Sequence, residues 1–83
     1  MPVTIRVLAF ARLREILSVP ERVLDLPAGA SVDDAWAALV RERPALGAEA
    51  SSTRAAVNGN LVEFSQQLRD GDELALLPPV GGG

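Results

Sequence analysis

Apolar and polar residues alternate with a period of two from Val3 to Phe10. Val3, Ile5, Val7 and Ala9 fall on one face, and Thr4, Arg6, Leu8 and Phe10 on the other. That spacing predicts a strand. Its second face turns apolar toward the end, which marks a central strand or one that carries a partner-binding patch. From Ala11 to Leu17 the spacing becomes helical, with Leu13, Ile16 and Leu17 in one stripe. So short a helix is stable only when docked on a sheet, and Pro20 is expected to end it. Period two returns over Glu21 to Leu26, with Leu24 and Leu26 inward, and Pro27-Ala28-Gly29 reads as a turn.

The strongest helical signal follows. Val32, Ala35, Trp36, Leu39 and Val40 form a single apolar stripe. Ser31 is the expected N-cap, with Asp33 and Asp34 near the positive end of the dipole. Arg41 and Arg43 suit the other end, and Pro44 is the expected stop. Trp36 lies in the middle of the stripe and is read as core rather than as a binding residue. Residues 45–53 are small and polar and predict only a connection. Arg54 to Val57 resumes strand character. Asn58-Gly59 predicts a two-residue hairpin turn, with Leu61-Val62 returning alongside. Residues 65–68 (SQQL) predict a short helical turn, and Asp70-Gly71-Asp72 a tight turn. Glu73 to Leu77 is the last strand, with Leu74 and Leu76 on one face and Ala75 and Leu77 on the other.

Five strands with one main helix and one short helix are too few for a doubly wound fold. An α+β architecture fits, with one mixed sheet and the main helix across a single face. That is the ubiquitin-like β-grasp arrangement, here spanning residues 1–77. In it the first and last strands lie side by side at the centre. The uncovered face then gathers Leu8, Phe10, Ala75 and Leu77 into an apolar docking surface.

Residues 78–83 form a separate extended tail, Pro78-Pro79-Val80-Gly81-Gly82-Gly83. The prolines have a fixed φ and no backbone N–H, so the chain neither joins a sheet centrally nor starts a helix there. Extended, the tail reaches roughly 20 Å beyond Leu77. Gly81 and Gly82, lacking Cβ atoms, pass a channel too narrow for other residues. Three glycines in a row at the terminus arise by chance on the order of 1 in 3,000 times. The tail is therefore read as flexible and functional, with the Gly83 carboxylate as a reactive handle for another protein's active site.

Composition narrows the chemistry. The chain has 83 residues, 48% of them apolar, and contains no Cys and no His. Disulfides, thiol nucleophiles, histidine acid–base catalysis and the usual zinc ligands are thereby excluded. All eight basic residues are Arg, so no side-chain amine is present for Schiff-base chemistry. The net charge of −3 argues against nucleic acid and anionic membranes as partners. No membrane-spanning run or signal peptide is evident, and a cytoplasmic location is expected. Asp33, Asp34, Asp70 and Asp72 are assigned to helix and turn chemistry rather than catalysis.

The opening strand with Phe10-Ala11-Arg12-Leu13-Arg14-Glu15, the Ala55-Ala56-Val57-Asn58 and Leu61-Val62 segments, and Leu68 with Asp70-Gly71-Asp72-Glu73 resemble the MoaD/ThiS family. Pro78-Pro79-Val80 before Gly82-Gly83 resembles most specifically its molybdopterin synthase small subunits. The resemblance runs over nearly the whole chain. Gly81 departs from the Ala, Ser or Thr usual there, and Leu76-Leu77 from the aromatic residues often found before Pro-Pro. The resemblance implies adenylation of Gly83 by an E1-like enzyme that uses ATP, with no cofactor bound by this chain. Sulfur delivered to the acyl-adenylate would leave a Gly83 thiocarboxylate. That sulfur would pass to a pyranopterin held by a large synthase subunit, in a heterotetramer whose catalytic groups belong to that subunit. Pro78, Pro79, Val80, Gly81 and Gly82 would thread the channel, and Leu8, Phe10 and Leu77 would anchor the domain. The same features also suit a sulfur carrier for thiamine, cysteine or tRNA thiolation, a ubiquitin-like modifier of target lysines, or an interaction module with an idle tail.

Overall fold

The computed structural model describes residues 1–79. Its elements are β1 (Val3–Ala9), α1 (Ala11–Leu17), β2 (Glu21–Leu26), α2 (Val32–Glu42), a 3₁₀ segment (Pro44–Ser52), β3 (Arg54–Val57), β4 (Asn60–Val62) and β5 (Glu73–Leu77). They form one five-stranded sheet in the order β2-β1-β5-β3-β4. β1 and β5 run parallel at the centre, with Val7 beside Leu74 and Ala9 beside Leu76. The other neighbours are antiparallel. This is the expected ubiquitin-like β-grasp fold.

The alternation in β1 is realised residue by residue: Val3, Ile5, Val7 and Ala9 are buried and their neighbours are not. They share one core with Leu24, Leu26, Leu74 and Leu76 from the sheet and with Val32, Ala35, Trp36 and Leu39 from α2. Each fully buried Leu or Val contributes about 1.5–3 kcal/mol relative to exposure. Trp36 is 8% exposed and meets Phe64 edge-to-face, with ring centroids 6.1 Å apart. It is a core residue, as its place in the stripe predicts.

Ser31 and Asp34 make a reciprocal capping box. The Asp34 N–H donates to Ser31 Oγ at 3.3 Å, and the Ser31 N–H donates to Asp34 Oδ2 at 2.8 Å. Both groups would otherwise be unpaired at the helix start. Replacing Ser31 by Ala is expected to cost about 1 kcal/mol. In a domain of this size that lowers the thermal midpoint by about 4–8 °C, measurable by circular dichroism.

The Asn58-Gly59 turn has φ of 51° and 87° at its two central residues, the geometry of a type I′ hairpin. Asn58 also ties the turn to β5: its Nδ2 donates to Asp72 Oδ1 at 2.8 Å, and its Oδ1 accepts from the Glu73 N–H at 3.0 Å.

Three expectations need correction. α1 spans Ala11–Leu17 as expected, but Ser18 rather than Pro20 ends it: Ser18 adopts φ 67° and its N–H donates to the Arg14 carbonyl at 2.9 Å. The stretch expected as a plain connection is a 3₁₀ segment whose Leu46 is fully buried. Residues 65–68 form no helical turn. Gln67 bridges to Ser31, and the Leu68 N–H donates to the Ala30 carbonyl at 2.8 Å. Pairing with the start of α2 outweighs the weak helical preference of this stretch.

Candidate functional site

β5 is the middle strand of the sheet, so its outward side chains and the chain leaving Leu77 share the centre of one face. The register aligns Leu8 with Ala75, Ala75 with Ala56, and Ala56 with Leu61, in one row across four strands. Leu77 lies in the next row toward the tail, beside Arg54. Phe10 follows the end of β1 on the same face. Ala11 takes φ 51° and turns the chain sharply from β1 into α1.

Leu8 and Leu77 are half-buried, Phe10 is 43% exposed and Leu61 is 61% exposed. The domain's own loops do not cover this patch. It is contiguous and apolar, the kind of surface that marks an interaction site. On the side away from the tail it is bordered by charge. Arg6 is ion-paired with Glu73 and lies 4.0 Å from Glu21. A hydrogen bond and the charge of Glu73, then the charge of Glu21, hold the Arg6 guanidinium above its usual pKa.

Pro78 and Pro79 are exposed and sit between two depressions. A small cavity of about 70 Å³ is lined by Arg12, Leu13, Glu49, Thr53 and both prolines, among others. The Arg12–Glu49 ion pair, at 3.3 Å, joins the start of α1 to the 3₁₀ segment there. On the other side a groove of about 620 Å³ runs from Pro79 between the start of β3 and the end of β4, with walls that include Arg54, Leu61 and Glu63. Val80, Gly81, Gly82 and Gly83 lie outside the described residues.

The structure therefore brings Leu8, Phe10, Leu77, Pro78 and Pro79 to one end of one face. It adds Ala56, Leu61 and Arg54, which sequence reasoning missed as site residues. A signal existed. A two-residue turn at Asn58-Gly59 pairs position 56 with 61, which puts Leu61 on the same face as Ala56; that this face is also the face of Ala75 follows only from the β3–β5 register.

Asp34, Asp70 and Asp72 have structural tasks. Asp70 Oδ1 accepts from the Thr4 N–H at 2.7 Å, and Asp72 Oδ2 from the Arg69 N–H at 2.8 Å. Asp34 closes the helix cap. Among the described residues no helix is long and apolar enough to cross a membrane.

Comparison with known proteins agrees with this geometry. The "Molybdopterin synthase sulfur carrier subunit" of Escherichia coli is 42% identical over 81 residues, covering 95% of this chain and 99% of the relative. The protein of the same name from Chlamydomonas reinhardtii is 37% identical over 81 residues, with coverage of 95% and 98%. Among solved structures, small archaeal modifier protein 1 of Haloferax volcanii superimposes with a TM-score of 0.85 at 32% identity, covering 96% of this chain and 99% of that one. The profile of the ThiS family matches residues 7–83. With that match spanning almost the whole fold, the chain belongs to the ThiS family.

Proposed function

We propose that this chain is the sulfur carrier subunit of a molybdopterin synthase, donating sulfur from a thiocarboxylate at Gly83 for the dithiolene of molybdopterin. The observation that carries the reading is the position of the tail. Pro78-Pro79 leaves the central strand beside an exposed apolar patch, so docking of the patch aims the last residues into a partner. The names of the relatives select the molybdopterin pathway among those that use such a carrier.

A carboxylate resists nucleophiles because its leaving group is poor. An E1-like partner removes that obstacle: a Gly83 carboxylate oxygen attacks the α-phosphorus of ATP and pyrophosphate leaves. A sulfur nucleophile then attacks the acyl carbon and AMP departs. With a donor persulfide as that nucleophile, a thiolate then attacks the donor-side sulfur of the acyl disulfide, leaving a disulfide on the donor and a C-terminal thiocarboxylate, ionised at neutral pH. The large synthase subunit holds the pyranopterin, and its catalytic groups transfer the sulfur. Two sulfurs are needed per dithiolene, so two charged carriers are consumed per product, consistent with a heterotetramer. Pro78 and Pro79 stiffen the base of the tail and reduce the ordering cost of insertion. Val80, Gly81 and Gly82 thread the channel. Leu8, Phe10 and Leu77 anchor the domain. This chain binds no cofactor in this scheme, and it acts in the cytoplasm without nucleic acid or membrane.

Reconstitution tests the assignment. Thiocarboxylated carrier, cognate large subunit and cyclic pyranopterin should yield dithiolene product, with two carriers discharged per molecule. No product from charged carrier and active large subunit would remove the molybdopterin assignment. Gly82→Ala should fold normally yet lose turnover on the order of 100-fold, the cost of a small misplacement at a reacting centre. Full turnover by that variant would show that the channel is not narrow.

A second reading, conjugation to lysines of other proteins, is favoured by the likeness to the Haloferax volcanii modifier. It predicts isopeptide adducts in cell extract.

A further inference from the structure

Arg54 stands inside the apolar face. It is exposed, directly beside Leu77 in the β3–β5 register, and it lines the groove that starts at Pro79. Leu77 is its cross-strand partner on that face, Ala56, Ala75 and Leu61 form the adjoining row, and Glu63 lies across the groove. Arg6, Arg12 and Arg22 each have a carboxylate partner and Arg14, Arg41, Arg43 and Arg69 have none, but among the described residues Arg54 is the one arginine without a partner that lies on a strand of the sheet. Among the described residues no carboxylate lies within 4.0 Å of the Arg54 guanidinium, and Glu63, on the wall of the same groove, does not reach it.

We infer that the partner covering this face presents an Asp or Glu side chain that enters the groove and pairs with Arg54. The inference rests on the proposed function, and the partner meant is the large synthase subunit. When an apolar surface closes over Leu77 and Leu61, it strips water from the adjacent guanidinium. A charge buried without a partner opposes docking strongly, whereas a carboxylate satisfies it through two parallel hydrogen bonds. A phosphate, with close to two negative charges, suits the groove less well than the single charge of a carboxylate, because Glu63 shares it. The ion pair would add specificity to an otherwise non-directional apolar contact.

The test is the dissociation constant of the full chain for its cognate large subunit, by titration calorimetry at low and high salt. The unaltered chain, Arg54→Gln, Arg54→Lys and Leu77→Asp are compared, with thermal midpoints as a check on folding. Arg54→Gln should weaken binding roughly 30-fold or more and flatten its salt dependence. Arg54→Lys should recover part of the loss, because it keeps the charge but not the fork. Leu77→Asp should also weaken binding about 30-fold or more. If Arg54→Gln matches the unaltered chain in affinity and salt dependence while Leu77→Asp loses affinity as expected, the ion pair is overturned and the docking face stands. If the unaltered chain does not bind the large subunit, the proposed function falls and this inference with it.

Discussion

Adding one residue after Gly83 is expected to leave the domain folded and to abolish sulfur loading. The carboxylate would move outward by about 3.3–3.6 Å, and the group presented at the activating centre would become a peptide carbonyl. An amide carbonyl offers no carboxylate oxygen to attack the α-phosphorus of ATP. The new terminal carboxylate would lie beyond the position that a tail of six residues after Leu77 reaches, carried by a residue with a side chain. All buried residues of the core precede Leu77, so the thermal midpoint should not move. Mass spectrometry after incubation with the activating enzyme, ATP and a sulfur source should find no thiocarboxylate above background. A loaded and functional extended carrier would show that the tail is not the reactive element.

Two adjacent positions in β5 should separate stability from docking. Leu76 points into the core and is fully buried, whereas Leu77 points to the opposite face and is half-buried. Leu76→Ala is expected to cost about 2–5 kcal/mol. A domain of this length has total stability on the order of 4–12 kcal/mol, so much of the margin goes. The thermal midpoint should fall by on the order of 10–30 °C. Leu77→Asp removes little core packing but places a charge at the centre of the apolar face. It should shift the midpoint by only a few degrees, yet weaken partner binding about 30-fold or more, as expected for a central interface anchor. Denaturation curves and binding isotherms on both variants decide the matter. Equal effects of the two substitutions on stability would contradict the two-faced geometry of the strand.

Much of the fold was legible because local signals and tertiary demands coincide. The alternation of Val3, Ile5, Val7 and Ala9 matches a strand covered on one face. Asn58-Gly59 matches a turn with two positive φ values. Ser31 and Asp34 are spaced for the box they form. Where the signal failed, the cause is physical. Residues 44–52 carry mostly small side chains and only Leu46 of the segment is buried, so no periodicity announces it. The Ser-Gln-Gln-Leu stretch has acceptable helix propensity. Its conformation is instead set by chain segments far away in sequence: the Val32 N–H donates to the Gln66 carbonyl at 2.9 Å, and the Asp33 N–H to Phe64 at 2.8 Å. At the candidate site, Leu8, Phe10 and Leu77 could be placed on one face from strand parity alone. Arg54 and Leu61 could not be weighted without knowing that β3 lies next to β5, a pairing between strands 16 or more positions apart that no local pattern encodes.

The central claim, that Gly83 carries sulfur, is tested most directly by intact mass measurement. The protein would be incubated with its cognate activating enzyme, ATP and a sulfur source. The expected result is a gain equal to the replacement of one oxygen by sulfur, mapped by fragmentation to Gly83. An unchanged mass, with the activating enzyme shown to adenylate the chain, would contradict the carrier function and favour the use of the tail as a protein modifier.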